Sequence, residues 1–485
     1  MGKERFYKTV LLRYTKKLEL HLYFLMTGGF PVSRELHLTS GKIMPQLVQL
    51  CLPLLAANIL QQMYNIINSL VVTRYIGDSA FAALGIAESV MNLFIYVITG
   101  ACTGASVLIS QFYGEENHTR LRQQLYVSAV LIGGCTVGAV VLGQLFLPQL
   151  LTIIKTPQNL MGDVSTYLRI ILAGMLFTFT YNYLASTLRA VGDTQAALYF
   201  LLISLGYNLA AAWLLVAVLK MGITGTALAT ASAQLLSSLL CFLYIRKRRP
   251  FLRIGRDDMK MDKVLIHRTS SYAAVAALQQ SSLYLGKLMV QSAVNGISLV
   301  SAAPISAFTA ATRIENFIQS IGSSACDAIA IFVAQNNGAG KHQRALRGFG
   351  QGFAVTFILS VLAALLLFLA PAPLSAIFLE ASDQSMEMCI SYLRTISIFY
   401  LLAFAGLSYV GWYRGNGRMN ITFWGTTIQI AVRVVGTYSM VSFMGLDAVA
   451  LSTGLGWCII VTFQTIVFLL ERKGIWPKPS PLVHP

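Results

Sequence analysis

Short motifs in the first half of this chain recur in the second half after about 224 residues. Four groups recur in the same order, at separations of 223 to 225 residues. An ordered duplication of this length is typical of membrane transporters. The pairs are Gln111, Gly114 and Arg120 with Gln335, Gly338 and Arg344; Tyr167-Leu168-Arg169 with Tyr392-Leu393-Arg394; Arg189 and Gly192 with Arg414 and Gly417; and Gly222 and Ala227-Leu228 with Gly445 and Ala450-Leu451.

The composition indicates a protein that lives in a bilayer. Hydrophobic residues make up 56% and charged residues 11% of its 485 positions, whereas soluble domains have about 45–50% and about 25%. A helix needs roughly 20 apolar residues to cross about 30 Å of hydrocarbon. Only helices cross singly with their backbone satisfied. We therefore predict an all-α polytopic membrane protein with twelve transmembrane helices, at residues 46–72, 80–111, 124–147, 164–187, 194–218, 223–245, 269–294, 304–335, 349–370, 387–412, 419–443 and 446–471.

The net charge of +17 follows the predicted topology. Basic residues are concentrated in the N-terminal arm, in the linker from Arg246 to Arg249 and in every second loop. Arg189 and Arg414 are predicted to belong to these loops. The intervening loops carry Lys155, Lys220 and a few acids. Because cytoplasmic loops hold such an excess of lysine and arginine, we expect a plasma-membrane protein with both termini in the cytoplasm, and no nucleic-acid partner.

Each half of the chain holds six predicted spans. An even number returns the chain to its starting side, so the two six-helix lobes form a parallel internal repeat. Such repeats are related by an axis along the membrane normal, which places a cavity between lobes that rock to give alternating access. The predicted parts are a cytoplasmic N-terminal arm at 1–44, a first lobe at 45–246, a cytoplasmic linker at 247–268, a second lobe at 269–471 and a cytoplasmic tail at 472–485.

No motif for a cofactor is apparent. The run from Gly338 to His342 lacks the first glycine and the Ser/Thr of a phosphate-binding loop, and the seven cysteines are scattered singly. We expect no metal, cofactor or nucleotide, and a monomer whose partners are membrane lipid and a small organic substrate. Transport without an ATPase draws on an ion gradient, so intramembrane ionisable groups are candidates for coupling to Na+ or H+.

Several motifs resemble those of multidrug and toxic compound extrusion (MATE) transporters. The resemblance extends from about residue 44 to 471. It implies twelve helices in two lobes and antiport of organic compounds against sodium ions or protons. The motifs are Pro53-Leu54-Leu55 through Tyr64-Asn65, Arg74-Tyr75-Ile76-Gly77 and Ala82-Ala83-Leu84-Gly85 at the first helix and turn, Leu188 to Thr194 after helix 4, and Val333 to Gly340 after helix 8.

The first helix departs from the family at one position. Where the family commonly has an aspartate for ion coupling, this chain has Asn68. An amide takes up no titrating proton and binds cations more weakly than a carboxylate. Asn68 is therefore a candidate for ordering water or binding polar substrate groups, and we expect coupling to have shifted toward the second lobe.

Polar faces on two helices predict the lining of the cavity. On helix 1 and on helix 7 the polar residues recur at helical spacing and so share one face. Such faces either line a wet cavity or make interhelical hydrogen bonds worth about 0.6 to 2 kcal/mol each. Lys287 needs a carboxylate or water unless it extends to the outer interface. The candidates are Gln61, Tyr64, Asn65 and Asn68 on helix 1, and Gln280, Tyr284 and Lys287 on helix 7.

Helix 8 carries the densest polar face, which holds Arg313, Asn316 and Asp327 together with two serines. These three residues are predicted to face the cavity, and Asp327 has a polar neighbourhood suited to a cation or a proton. Glu315 lies to the side of this face.

The candidate coupling residues are Glu88, Glu315 and Asp327. Carboxyl groups in a dry cleft suit proton exchange near neutral pH, and Glu88 and Glu315 are expected to face each other across the repeat axis. The alternative is structural ion pairing with Arg313 or Arg433. Arg433 lies near the middle of helix 11, where it requires a partner, and is a further cavity candidate.

The sequence predicts a secondary antiporter that exports organic compounds and is not an enzyme. Two alternatives stay open. A lipid-linked oligosaccharide flippase of the same superfamily would use buried cations such as Lys287, Arg313 and Arg433 to bind an anionic pyrophosphate. A membrane-embedded enzyme or receptor is the other, although the chain shows no nucleophile motif or metal-ligand pair.

Overall fold

Twelve long helices, one of them broken, make up the described chain. The computed structural model describes residues 36–75, 78–154, 156–297, 303–380 and 384–475, with side chains described outside 65–82 and 297. No strand occurs within these ranges. The long helices are α1 Ile43–Tyr75, α2 Asp78–Gly114, α3 His118–Leu145, α4 Met161–Ala190, α5 Thr194–Ala212, α6 Gly222–Arg248, α7 Lys263–Ile297, α8 Ala303–Gly338, α9 His342–Leu369, α10a Gln384–Ser397 with α10b Tyr400–Gly415, α11 Met419–Met444 and α12 Leu446–Arg472.

The helices match the predicted spans one for one, with one correction. The sequence predicts a continuous tenth span, whereas α10a and α10b meet at a bend of 56°. Among the described residues, nine helices and this bent pair are long and apolar enough to cross a membrane. Helices α7 and α11 are also long enough to cross a membrane. Residues 1–35 of the predicted arm and 476–485 of the predicted tail lie outside the described residues.

The packing of the helices repeats between the two halves. In the first half α4 packs against α2 and α6, and in the second half its equivalent, α10b, packs against α8 and α12. The halves meet where α2 packs against α7 and α8 packs against α1. The repeat relates α1 to α7 and α2 to α8, so the contact between α2 and α7 corresponds to the contact between α8 and α1. The interface between the halves therefore follows the internal symmetry.

The ends of α2 and α8 touch through two repeat-related glycines. A Cβ added at Gly114 would overlap the backbone of Gln335, and one added at Gly338 would overlap the backbone of Gln111. Gln335 Nε2 also donates to the carbonyl of Ala190, at 2.7 Å. The repeated Gln and Gly residues therefore close the gap between the halves at this end of the bundle.

Two repeated arginines tie the halves together at the same end. Arg344, in the first turn of α9, donates to three carbonyls of residues 38–41 at 2.8 to 3.1 Å, just before α1. Arg120, in the first turn of α3, binds Asp262 at 3.0 Å, just before α7. Each arginine thus holds the start of the other half's first helix. We call these two contacts the arginine clamps, and the end of the bundle that carries them the basic end.

Asp262 also caps α7. Its carboxylate accepts hydrogen bonds from the backbone N–H groups of Leu265 at 3.2 Å and Val264 at 2.7 Å. The Leu265 bond first, and then the bonds from Val264 and Arg120, hold the pKa of the Asp262 carboxyl below its usual value. The clamp is therefore fully charged at neutral pH and weakens only as the pH falls through that lowered pKa.

An ion pair recurs in both halves with its charges exchanged. Asp193, which follows α4, binds Arg249, which follows α6, at 2.6 Å, with side-chain exposures of only 0% and 6%. In the second half Arg418, which follows α10b, binds Glu471 near the end of α12. The repeat register places Arg418 at the position of Asp193. Each half therefore fastens the same loop to its last helix with an ion pair of opposite polarity.

We expect Gly114→Ala to hold the basic end apart, because the added methyl group meets backbone that no side-chain rotation moves away. The distance between spin labels at His118 and His342, measured by double electron–electron resonance after replacement of the native cysteines, should shift to longer values. Gly134→Ala is the matched control, since a Cβ there has no neighbour within 4 Å. An unchanged distance in Gly114→Ala would mean that this contact does not set the closure.

We expect Asp193→Asn to destabilise the fold strongly, because it removes the carboxylate of a buried ion pair, at a cost of about 3–5 kcal/mol. Asp262→Asn is the comparison, since the side chains of Arg120 and Asp262 are 35% and 31% exposed and such pairs contribute about 0.2–1 kcal/mol. Thermal unfolding in detergent should show a much lower midpoint for Asp193→Asn. Equal midpoints would contradict a structural role for the buried pair.

Candidate transport site

A cavity of about 620 Å³ lies between the two halves. Helices α1, α2, α4, α5 and α6 line it from the first half, and α7, α8, α10b, α11 and α12 line it from the second. Its volume suits a drug-sized organic molecule, because ligand pockets measure about 300–1,000 Å³. The glycine contact and the arginine clamps lie beyond its floor, at the basic end.

Aromatic and amide side chains recur around the cavity wall. Tyr96 and Tyr284 stack with ring centroids 5.0 Å apart, and the Tyr284 hydroxyl donates to the carbonyl of Ser89 at 3.0 Å. This pair joins α2 to α7 across the two halves. Further lining residues of these types are Tyr64, Tyr181 and Trp457, and Asn58, Asn92, Asn182, Asn208, Gln234, Gln279, Gln319 and Gln429.

The structure brings the described candidates of α1 and α7 to the cavity. Gln61 and Tyr64 line it from α1, and Gln280, Tyr284 and Lys287 line it from α7. Lys287 is exposed to the cavity, and no hydrogen bond or ion pair of this residue occurs among the described residues. The side chains of the other two candidates, Asn65 and Asn68, lie outside the described residues.

Helix α8 presents a different face to the cavity from the one expected. Its lining residues include Gln319, Ser323 and Asp327, while Arg313 and Asn316 are absent from the wall. The Arg313 guanidinium lies 5.8 Å from the ring centre of Phe378, at an exposed position.

A contact between α8 and α1 explains why the serine face of α8 does not line the cavity. Asn58 Nδ2 donates to Ser324 Oγ at 2.9 Å, so the serine face that was expected in the cavity packs against the other half instead. The expected polar face is therefore an interhelical contact, and only Asp327 of its three candidates lies at the wall.

Glu315 is buried inside the second half and does not line the cavity. Its carboxylate accepts hydrogen bonds from the hydroxyls of Tyr392 at 3.0 Å and Tyr400 at 3.2 Å. The charges of Arg433 and Lys287 act on it at longer range, without a direct ion pair among the described residues. Sequence reasoning missed both tyrosines, although Tyr392 belongs to one of the repeated motifs.

Glu88 lies in the first half and does not face Glu315. It is half-buried on α2, close enough to Tyr64 and Tyr167 for its charge to act on them. No hydrogen bond or ion pair of Glu88 occurs among the described residues. The expectation that the two glutamates meet across the axis is wrong, because Glu315 is buried within the second half against Tyr392 and Tyr400.

The floor of the cavity carries two arginines and one acid. Arg414 Nη1 binds Asp327 Oδ1 at 2.8 Å. Arg189, at the repeat-equivalent position in the first half, lines the same region and donates within its own helix, to the Ala185 carbonyl at 3.2 Å and Ser186 Oγ at 3.3 Å. The sequence predicts both arginines to be loop residues, but each lies in the last turn of a helix and lines the cavity.

The charged side chains of the cavity wall are mostly basic. Arg189, Lys287 and Arg414 line it, with Asp327 as the acid among the described lining residues. No group of three or more His, Cys, Asp or Glu side chains arranged to hold a metal ion occurs in the described ranges. The described lining is therefore dominated by basic, amide and aromatic groups.

An all-helical membrane protein with two repeat-related halves around a polar cavity has the architecture of a multi-pass transporter. The chain belongs to the MatE family, whose model matches residues 53–214 and again residues 276–439. The two matches begin 223 residues apart and end 225 residues apart, which is the register of the sequence repeat. The resemblance of the sequence motifs to MATE transporters is confirmed.

Relatives and solved structures agree with this assignment. A probable multidrug resistance protein of Bacillus subtilis (strain 168), YpnP, is 26% identical over 449 residues, or 90% of this chain and 97% of the relative. A multidrug resistance MATE family transporter solved in an outward-facing conformation has a TM-score of 0.82 and 20% identity. A MOP superfamily transporter from Pyrococcus furiosus Vc1 (DSM3638) has a TM-score of 0.81 and 20% identity. Both structures align over 91% of this chain and 98% of theirs.

These findings confirm the predicted class of protein. The chain is a multi-pass membrane transporter with the twelve-helix, two-lobe MATE fold, and it is not an enzyme. The roles of the individual cavity residues stay predictions, and their positions now define which variants test them.

We expect a double-mutant cycle to detect coupling between Asp327 and Arg414. Residues in one ion pair show interaction free energies of about 0.5–3 kcal/mol, measured here by the unfolding of Asp327→Asn, Arg414→Gln and the double variant in detergent. Asp327→Asn combined with Arg313→Gln is the control, since Arg313 lies near the other end of α8 and its effect should be additive. Additive effects for Asp327 and Arg414 would show that the ion pair is energetically neutral.

Proposed function

We propose that this protein is a secondary active antiporter that exports organic compounds across the plasma membrane in exchange for protons or sodium ions. The observation that carries the proposal is a polar cavity between two repeat-related halves that is closed at the basic end. The name of YpnP, a probable multidrug resistance protein, supports organic substrates. The positive-inside rule supports a cytoplasmic basic end with both termini on that side.

The contacts at the basic end are suited to repeated opening. The arginine clamps are polar bonds that water replaces when the halves separate, and a partly exposed pair such as Arg120–Asp262 contributes only about 0.2–1 kcal/mol. The glycine contacts are close approaches of two helix backbones. Rocking of the lobes that separates the halves at this end would expose the cavity to the cytoplasm, as alternating access requires.

Among the predicted coupling acids we favour Glu88. Asp327 is held by Arg414, and Glu315 lies beside the charges of Arg433 and Lys287. Neutralising either acid would leave basic groups without compensation in a partly buried site, which is costly. Glu88 has no such partner among the described residues, so a proton or a sodium ion there neutralises an isolated carboxylate. This proposal moves coupling back to the first half, against the expectation from the sequence.

We expect Glu88→Gln to uncouple transport from the ion gradient. In proteoliposomes with a pH gradient and a Na+ gradient imposed separately, gradient-driven movement of the cation rhodamine 6G or the anion 6-carboxyfluorescein should fall at least about tenfold, as for loss of an essential titrating group. Downhill exchange of the same dye between the two sides should persist, since the variant with an amide at this position can still close around a substrate and change conformation. Glu387→Gln, at an exposed position in the first turn of α10a, is the matched control.

Two outcomes would count against this scheme in different ways. If neither dye moves under either gradient in the wild type, secondary antiport is wrong. If Glu88→Gln transports as well as the wild type, coupling runs through another residue, and Glu315→Gln and Asp327→Asn become the next variants to measure.

The basic cavity favours one alternative function, the flipping of lipid-linked oligosaccharides. Arg189 and Lys287 are suited to an anionic pyrophosphate headgroup. The Pyrococcus furiosus transporter of similar fold is described as having a binding pocket of reverse polarity that suggests a different function. Reconstituted vesicles decide between the two functions, since a flippase moves a lipid-borne headgroup between leaflets and leaves soluble dyes in place.

A further inference from the structure

The cavity holds more basic than acidic charge on each of its two charged regions. At the floor, Arg189 and Arg414 face the single acid Asp327. Higher up, Lys287 lines the wall, Arg433 is outside the lining but close enough for its charge to act on Lys287, and Glu315 is the acid on which both charges act.

The excess at the floor arises from a break in the repeat. Arg414 has Asp327 as its counter-charge. Arg189 is its equivalent, and the position that corresponds to Asp327 in the first half is Thr103. Thr103 and Arg189 line the same small space of about 50 Å³ beside Asp327. A hydroxyl group stands where the second half supplies a carboxylate, so the charge of Arg189 has no acidic partner among the described residues.

The excess of basic charge around Lys287 arises separately from the excess at the cavity floor. Lys287 lines the cavity, and none of the three donors of its ammonium group finds a hydrogen-bond acceptor among the described residues. Glu315 accepts hydrogen bonds from Tyr392 and Tyr400, and no ion pair between Glu315 and Lys287 occurs among the described residues. Even if Glu88 is ionised, these four basic groups exceed the three acids by one charge.

We infer that the substrate is an organic anion, with a carboxylate or phosphate group for Lys287 and the Arg189 floor and an apolar or aromatic body for the tyrosine-lined wall. This inference rests on the proposed antiport function and adds the charge of its substrate. An anion that enters the cavity supplies the counter-charge that offsets the cost of removing the cavity's ammonium and guanidinium groups from water. The stacked Tyr96 and Tyr284 and the nearby Trp457 offer flat faces for the body.

The sign of the substrate charge has an electrical signature. If one anion leaves the cell for each proton or sodium ion that enters, both movements carry positive charge inward, and two charges cross per cycle. A monovalent organic cation exchanged for one proton crosses with no net charge. A membrane potential, negative inside, therefore accelerates exchange of an anion and leaves exchange of a monovalent cation unchanged.

The experiment uses the full chain in proteoliposomes with three probes. These are 6-carboxyfluorescein as a soluble anion, rhodamine 6G as a soluble cation, and a fluorescent phosphatidylglycerol as a lipid-borne phosphate. Each is measured under an imposed pH or Na+ gradient, with and without a potassium diffusion potential set by valinomycin. We expect movement of an anionic probe, faster under the potential that is negative on the basic-end side.

Lys287→Gln and Lys287→Arg form the matched pair of variants. Removal of one charged hydrogen-bond donor should raise KM for the anionic probe about tenfold or more, while the arginine variant retains most of the affinity. Arg189→Gln, in the other half, should raise the same KM and serves if Lys287→Gln fails to fold. Lys260→Gln, in the exposed linker, should leave it unchanged.

The outcomes separate the inference from the function on which it rests. Gradient-driven transport of rhodamine 6G alone, insensitive to the potential, would leave antiport intact and overturn the anionic substrate. Movement of the lipid probe alone would support the anionic site and assign it to a lipid headgroup. A KM for 6-carboxyfluorescein that ignores both Lys287→Gln and Arg189→Gln would overturn the inference. Absence of movement of all three probes would instead reject the proposed transport function.

Discussion

The close contact between the ends of α2 and α8 is the constraint on which the rest of the structure depends. A duplicated chain makes this contact twice, since Gly114 meets Gln335 and Gly338 meets Gln111. A side chain larger than hydrogen at either glycine would hold both helices apart. The lowest lining residues of the main cavity on these helices are Thr103 and Asp327. Each lies eleven residues before its glycine, or about 16 Å along a helix, so the cavity opens at the same height on both sides.

The duplication has preserved contacts within the scaffold while letting charges in the cavity diverge. Asp193 with Arg249 and Arg418 with Glu471 show that a scaffold ion pair survives even when its polarity is exchanged, because only the attraction between its members matters there. In the cavity the polarity itself matters to a ligand. There the halves differ, with Thr103 opposite Asp327 in the repeat register.

The sequence predicted the helices and their order because apolar length and periodicity are local properties of the chain. It predicted the cavity-facing side of α7 through Lys287 for the same reason. It misplaced the face of α8, because the partner that takes up Ser324 is Asn58, 266 residues away, and no local pattern shows that. Arg414 was read as a loop residue, since its place at a helix end says nothing about where a long side chain extends.

Charges that lie on one half move together when the halves rock, so their mutual interaction is the same in every state. Asp327 and Arg414 belong to this class, as do Glu315 and Lys287. A ligand shifts a conformational equilibrium only through interactions that differ between the states. The groups that sense rocking are those that face the opposite half, such as Arg189 beside Asp327. Since Thr103 supplies no carboxylate, Arg189 is available to bind an anionic ligand that also contacts the other half. Binding of such a ligand would change when the lobes rock, so this position couples the charge of the substrate to the movement of the lobes.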